Sequence, residues 1–206
     1  MPRDSSFQVP SKTITVEQDI KRSRFISTAG RAGNKKSAKE FINSVSEKYS
    51  DATHNCYAFV AGNPFSTTEI GFGDDREVSG TAGKPMLSVL QHKKIGEIVV
   101  VVSRYFGGIK LGSGGLVRAY SSSVQLVLEK LPLVNCVVVK TVQISFDYQY
   151  ENSIRQILNK YHVEIKDSNY SENVEMKIEV PEGRLEELNT ELQNSTSGNV
   201  TLLETK

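Results

Sequence analysis

The sequence predicts an α+β protein of two domains, on three observations. The hydrophobic periodicity ends near Pro132 and starts again beyond it, the remaining segment reads as a βαββαβ unit, and the net charge changes sign between the two parts. Residues 1–137 hold 18 Lys/Arg and 12 Asp/Glu, whereas residues 138–206 hold 7 and 12. We therefore predict one domain over 1–135 and a second over 138–206.

The first domain begins with predicted strands and a helix. Alternation of apolar and polar residues predicts a strand over 13–20, and SRFISTAG is its candidate neighbour. From 35 to 49 the apolar residues recur with helical spacing, and Asn34 is a candidate N-cap. The segment HNCYAFVAG then predicts another strand.

The rest of the first domain alternates irregular and regular segments. Residues 63–83 are too rich in turn residues for either period, which predicts a long functional or mobile loop. PMLSVLQHK predicts a short helix with Pro85 in its first turn, and IGEIVVVV a fully buried strand. A helix beginning near Leu116 closes the domain, and Pro132 ends it.

The second domain has the order of a split βαβ fold. VVVKTVQISFDY predicts a strand, YENSIRQILNKY a helix, HVEIKDS and NVEMKIEV two strands, GRLEELNTELQN a helix and NVTLLET a last strand. This βαββαβ order indicates a ferredoxin-like domain, a fold that hosts many activities and so does not identify one.

The composition predicts a cytoplasmic chain. Hydrophobic residues make up 38% and charged residues 24%, as in ordinary globular proteins. The aliphatic run at 98–102 is too short to cross a bilayer, and the N-terminal dozen residues lack the apolar core of a secretory signal. We expect Cys56 and Cys136 to be free thiols, because two cysteines are too few for a disulfide framework.

The glycine-rich segment SRYFGGIKLGSGGLVRAY follows the predicted buried strand. It fails as a P-loop because Ser113 stands where the lysine belongs, and the spacing of Gly112, Gly114 and Gly115 does not fit a dinucleotide fingerprint. A strand, a glycine-rich loop and a helix still direct free backbone N–H groups outward, which favours anions. The alternative is that the glycines only turn a strand into a helix.

These features predict a surface that binds phosphate or nucleic acid. The net positive charge of the first domain mildly favours binding to polyanions, and its cations would contact phosphates. The aromatic residues could stack on bases or instead pack inward. The predicted set is Arg76, Lys84, Arg104, Tyr105, Phe106, Gly107, Gly108, Lys110, Gly112, Gly114 and Arg118.

A secondary site is predicted from His54, Asp74, Asp75 and Glu77. His54 and Cys56 share one face of a strand, so a Cys–His nucleophile is conceivable, although burial of the thiol explains the pattern more simply. The carboxylates could hold magnesium, but acidic loops are mostly solvated, and the histidines and cysteines lack zinc spacing. We assign no catalytic residue, metal or cofactor.

Four segments resemble the IMPACT/YigZ family: RSRF, ATHNCYAF, DDREVSGTAGKPML and VVVVSRYFGGIKLGSGGLVRAY. The resemblance covers most of 1–135. It implies that the first domain is a ribosomal-protein-like left-handed βαβ domain, and that the second is similar to the ferredoxin-like last domain of elongation factor G. It also implies a role near translation, since bacterial relatives are associated with nucleic acid or ribosomes.

Two other activities of relatives are not expected to transfer. Eukaryotic relatives restrain a starvation-activated kinase of translation initiation, but they carry a different extra domain. Some relatives carry a peptidase label, but this sequence shows no recognisable metal ligands or catalytic triad.

Three functional hypotheses follow. The leading one is a non-enzymatic translation-associated regulator or accessory factor that binds RNA or a ribosome through the glycine-rich surface. The second is an enzyme acting on a phosphorylated small molecule at the same cleft. The third is a protein-docking module that uses the acidic second domain. No membrane partner is expected.

Overall fold

The computed structural model describes residues 6–66 and 69–204. The chain divides into two compact units, one of which is Phe7–Cys136, while the described residues from 137 to 204 belong to the other. Each unit has its own hydrophobic core. Among the described residues, no helix is long and apolar enough to cross a membrane.

The first part of the chain contains seven strands and three helices in the described residues. In chain order these are β1 (Ser6–Pro10), β2 (Ile14–Ile20), β3 (Ser23–Arg31), α1 (Lys35–Lys48), β4 (His54–Val60), β5 (Ile70–Gly73), α2 (Gly83–Lys93), β6 (Ile98–Tyr105), α3 (Ser113–Lys130) and β7 (Leu133–Val137).

A five-stranded sheet in the order β2-β3-β6-β4-β5 forms the centre of this unit. All neighbouring strands are antiparallel, so β3 and β4 run parallel to each other on either side of β6, and α1 connects them. Val99 and Val101 of β6 pack on the α1 side, whereas Val100 and Val102 pack with α2 and α3. The run IVVVV is therefore buried on both faces, as its unbroken apolar character predicts.

Helix α1 confirms the predicted start signal. The Asn34 side chain accepts a hydrogen bond from the backbone N–H of Ser37, and the Ser37 hydroxyl accepts one from the Asn34 N–H. This reciprocal capping satisfies two donors that the first turn would otherwise leave open. The buried side chains of Ala38, Ile42 and Val45 then share one face.

The structure differs from the sequence prediction at three elements. Strand β5 lies inside the segment predicted to be irregular, and its glycines lie under the rings of Phe59 and Tyr57, where a Cβ atom would come within 2.5 Å of ring carbons. Helix α3 begins at Ser113 rather than near Leu116, because its first turn contains glycines that read as loop. Strands β1 and β7 form an additional two-stranded sheet.

The second unit confirms the predicted βαββαβ order. Its elements are β8 (Val139–Phe146), α4 (Glu151–Lys160), β9 (Glu164–Tyr170), β10 (Val174–Pro181), α5 (Leu185–Ser195) and β11 (Val200–Glu204), and the antiparallel sheet has the order β11-β8-β10-β9. Alternate residues of β8 and β10 are buried with both helices, which gives this unit an independent core.

Candidate anion-binding cavity

A cavity of about 490 Å³ lies in the first unit where β6 leads into the glycine-rich segment. Its wall combines the ends of β4 and β6, the loop after β5 and the segment before α3. The lining residues include His54, Glu77, Val78, Arg104, Phe106, Lys110, Leu111, Gly112 and Ser113. Segments that are distant in the sequence therefore meet at one cleft.

The N-terminus of α3 forms one side of the cavity. Gly112 is its N-cap residue, with a φ of 72°, and no side chain in the described part of the chain caps the helix. The first N–H groups of an α-helix have no partner within the helix, and the dipole of this 18-residue helix adds partial positive charge there. Glycine suits the N-cap because its positive φ costs little without a Cβ. The terminus favours an anion.

Lys110 and Phe106 lie beside this terminus. Lys110 is exposed and has no ion-pair partner among the described residues. Phe106 is 47% exposed, although aromatic rings next to a core strand usually pack inward. The cavity therefore offers a free ammonium group and an open ring face next to unpaired backbone N–H groups.

Gly107 and Gly114 have different roles. A Cβ atom on Gly107 would overlap the backbone oxygen of Arg22, and its N–H donates to the Ser23 hydroxyl at 3.3 Å, so this glycine is required by packing. Gly114 is exposed, and its φ lies outside the left-handed region. Of the residues that the structure describes, a Cβ there would meet only the Arg118 guanidinium, at 3.7 Å. Neither packing nor backbone conformation explains glycine at 114.

Arg104 does not lie on the exposed surface that the sequence predicted. Its side chain is 5% exposed, and Nη1 donates to Glu77 Oε2 at 2.7 Å, while Nη2 lies 3.4 Å from the Ser23 hydroxyl. The guanidinium carbon is 5.6 Å from the ring centres of both Phe25 and Phe106. Arg104 neutralises a buried carboxylate and is not a free phosphate ligand. Its Nε is buried with no hydrogen-bond partner among the described residues.

His54 faces the same carboxylate from the neighbouring strand. It pairs with Arg104 in the β4–β6 register. Its Nδ1 lies 2.8 Å from the backbone oxygen of Asp75, which can only accept, so Nδ1 carries the hydrogen in this arrangement. This leaves Nε2 as the ring nitrogen that faces the carboxylate, 3.7 Å from Glu77 Oε1.

A chain of hydrogen bonds continues from Glu77 into the core. The Tyr120 hydroxyl donates to Glu77 Oε2 at 2.9 Å, and the Cys56 sulfur lies 3.4 Å from the Tyr120 oxygen and 3.0 Å from the backbone oxygen of Asp74. Burial raises the pKa of the Cys56 thiol to about 12 and raises the pKa of Tyr120 as well. Cys56 is a neutral core residue, so a Cys–His nucleophile is not formed here.

Asp74 and Asp75 accept hydrogen bonds from backbone N–H groups of the fold. The Asp74 carboxylate accepts hydrogen bonds from the backbone N–H groups of Gly80 and Gly83, at 2.8 and 2.7 Å, and so stabilises the N-terminus of α2. Asp75 accepts from the Asn55 N–H at 2.7 Å. No group of three or more His, Cys, Asp or Glu among the described residues could hold a metal ion.

The remaining predicted residues do not line the cavity. Arg76 is exposed with its guanidinium 3.6 Å from Asp75, and Lys84 and Arg118 are exposed on α2 and α3. Tyr105 is half-buried, with the Arg24 guanidinium 4.5 Å from its ring centre and its hydroxyl bonded to Asp51. Only Phe106 of the two predicted aromatics is open for stacking.

Sequence reasoning did not select Val78 and Leu111, which line the cavity, or Tyr120, which bonds to Glu77. Their apolar or helical context predicts core positions, and no local signal distinguishes them from other core residues.

Together, the fold and the cavity define a class: a two-domain α+β protein with an anion-favouring cleft beside a helix N-terminus. The Impact N-terminal domain family matches residues 21–128, and a Domain of unknown function (DUF1949) matches residues 144–199. The chain belongs to the IMPACT family.

Curated relatives share most of the chain. It is 37% identical over 198 residues to an IMPACT family member of Haemophilus influenzae, covering 96% of each chain. It is 36% identical to the IMPACT family member YigZ of Escherichia coli, covering 96% of this chain and 97% of that protein. The IMPACT family member YvyE of Bacillus subtilis is 40% identical over 90% of this chain and 88% of its own.

A solved structure described as the crystal structure of a hypothetical protein is also similar. It has a TM-score of 0.73 and 36% sequence identity, and 98% of each chain is covered. This similarity supports the two-domain fold but does not identify an activity.

Breaking the buried pair between Glu77 and Arg104 should destabilise the protein strongly. We expect Arg104→Met or Glu77→Gln alone to lower the free energy of unfolding by about 3 kcal/mol, because each leaves a buried charge without its partner. The double variant should be closer to wild type than the sum of the two losses, since it leaves no buried charge without a partner. Urea unfolding measures all three.

Arg31→Gln is the matched control, because it breaks the more exposed pair with Glu97 in the same unit and should cost only about 1 kcal/mol or less. A double variant that loses the full sum of both single effects would contradict the coupling.

Cys56 should resist alkylation in the folded protein. We expect iodoacetamide at pH 8 to leave Cys56 unmodified until the chain is unfolded, with half-buried Cys136 as the internal comparison in peptide mass spectrometry. Equal modification of both cysteines in the folded protein would show that Cys56 is accessible.

The native Cys56 thiol keeps its proton between pH 9.0 and about 12, where the thiol of the unfolded chain loses it. The free energy of unfolding should therefore fall as the pH rises through that window.

Proposed function

We propose that this IMPACT family protein is a translation-associated accessory factor that binds single-stranded RNA, free or within a ribonucleoprotein, at the cavity beside α3. In this proposal it acts by binding and performs no chemistry on its ligand. The association with translation follows from the family resemblance alone, whereas the class of ligand follows from the residues of the cavity.

The observation that carries the proposal is the meeting of three open features in one cavity. These are the N-terminus of α3 and the ammonium of Lys110, which have no side-chain cap and no ion-pair partner among residues 6–66 and 69–204, and the exposed ring of Phe106. Backbone N–H groups and an ammonium suit a phosphate, and an exposed ring suits a base that is free to stack. A nucleotide supplies both groups.

The exposed ring favours single strands over duplexes. In a duplex the bases stack on each other and their faces are not available to a side chain, whereas unpaired bases stack readily on aromatic rings. Stacking on Phe106 therefore increases the affinity for unpaired nucleotides and not for base-paired ones.

The residues that suggested chemistry have structural partners. The Cys56 thiol is neutral and bonded to Tyr120, and the Asp74 carboxylate holds the backbone at the start of α2. These partners account for both residues without a reaction, which supports a binding role.

RNA binding should depend on salt and on the cavity. We expect wild type to bind an eight-nucleotide oligouridylate with an affinity that falls as salt rises, because phosphate contacts release counterions. Lys110→Gln should reduce the salt slope by about 0.7, and Phe106→Leu should weaken binding roughly 5- to 100-fold through lost stacking. Fluorescence anisotropy across a salt series measures both.

Gly114→Ala separates a binding role from a structural one. We expect it to stabilise the fold by about 0.5 kcal/mol, since Ala suits a helix better, while its methyl group weakens RNA binding by crowding the helix N-terminus. Lys36→Gln on α1, which packs on the opposite face of the sheet, is the control and should leave binding unchanged. An affinity that does not respond to salt, or to any of the three substitutions at Phe106, Lys110 and Gly114, would contradict the proposal.

The position of His54 favours a second candidate function, an enzyme that acts on a phosphorylated small molecule. Its Nδ1 is held by the Asp75 carbonyl, and its Nε2 faces the cavity carboxylate of Glu77, an arrangement suited to proton transfer. A phosphate-release screen with purified protein tests this function. Turnover lost in His54→Gln, with RNA affinity unchanged, would favour the enzyme, and no turnover by wild type would reject it.

A further inference from the structure

The turn between β2 and β3 has an unusual composition. The register pairs Ile20 with Ser23, so Lys21 and Arg22 form a two-residue turn, and both have positive φ, 47° and 66°. Turns of this kind favour Asn-Gly, because side chains with a Cβ enter the left-handed region at a cost. Two long cations therefore occupy positions where other residues would make a more stable turn.

Both cations are free at the surface. Lys21 and Arg22 are exposed and have no ion-pair partner among the described residues. Asp19 is the nearby acid on β2 and lies opposite Arg24 in the register, but no ion pair forms between them, and the Arg24 guanidinium lies over the Tyr105 ring instead. The charge of the turn is not neutralised by its own hairpin.

The turn lies directly against the glycine-rich segment. The backbone of Arg22 is so close to Gly107 that no Cβ fits between them. Gly107 follows Phe106, whose ring lines the cavity, so the hairpin tip and the cavity are adjacent.

A second groove continues from the cavity towards this turn. It has a volume of about 260 Å³, and its lining includes Lys21, Leu111, Gly115 and Arg118. Leu111 also lines the larger cavity, so the two clefts meet at this residue. Arg118 is exposed and has no ion-pair partner among the described residues.

We propose that Lys21, Arg22 and Arg118 form a phosphate-binding track that receives the RNA strand where it leaves the cavity beside α3. This inference rests on the proposed function and names its ligand class as a strand of several nucleotides instead of a single nucleotide. A strand that places one nucleotide at Phe106 and Lys110 can continue into the groove, where its next phosphates meet Lys21 and Arg118. Arg22, the neighbour of Lys21 in the turn, is then available for a further phosphate.

The test replaces the two turn cations by the residues that the turn prefers. Lys21→Asn/Arg22→Gly should leave the melting temperature unchanged or raise it, because Asn-Gly suits positive φ. The same variant should reduce the salt slope for the eight-nucleotide oligouridylate by about 1.4, since two phosphate contacts are lost. Affinity for uridine monophosphate, which reaches only the cavity, should not change.

Two further variants make the result specific. Arg118→Gln should reduce the slope by about 0.7, independently of the turn. Lys36→Gln/Lys39→Gln removes the same charge as the turn variant from exposed positions on α1, on the other face of the sheet, and should leave the slope unchanged. Polyglutamate at matched charge should not compete with the oligonucleotide.

An unchanged slope in both the turn variant and Arg118→Gln overturns the track while leaving RNA binding at the cavity intact. An equal loss in the α1 control, or competition by polyglutamate, shows a general attraction of polyanions and also overturns it. Failure of wild type to bind any single-stranded RNA overturns the proposed function itself, so the two failures are distinguishable.

Discussion

The buried ion pair between Glu77 and Arg104 is the interaction on which the candidate site depends. It joins the irregular loop after β5 to the end of the central strand β6, and both side chains are 5% exposed. Taking two charges out of water is costly, and the cost is offset only where the geometry is good and further hydrogen bonds are present. Tyr120 and Ser23 supply partners, so the pair holds the loop in one position and forms the inner wall of the cavity.

Around this pair, structural and ligand-facing groups are close together but distinct. Gly107 is required by the neighbouring hairpin, and Asp74 holds the start of α2, whereas Lys110, Phe106 and Gly114 have no comparable structural task. Non-glycine residues with positive φ also occur here, at the β2–β3 turn and at Asp75. Such strain persists where surrounding contacts determine the backbone, and it is common at binding sites.

Local patterns predicted the elements whose signals are local. Helix α1 has its cap and its apolar face within one short segment, and β6 is an unbroken apolar run, so periodicity was sufficient for both. Strand β5 was missed because its glycines are read as turn residues until the rings of Phe59 and Tyr57 are known to cover them. The sheet formed by β1 and β7 was missed because it pairs opposite ends of the first domain.

By itself the sequence determined the α+β class, the βαββαβ second domain and a glycine-rich passage from a buried strand into a helix, since these follow from periodicity and glycine placement. Only the tertiary structure decided which cations are free. Arg104 and Lys110 look alike in the sequence, yet one meets Glu77 in the core and the other faces solvent. The same holds for the Lys21–Arg22 turn, where Arg22 packs against Gly107, the residue after the cavity residue Phe106. Side-chain burial and long-range contacts arise only when the strands pair, so no local pattern encodes them.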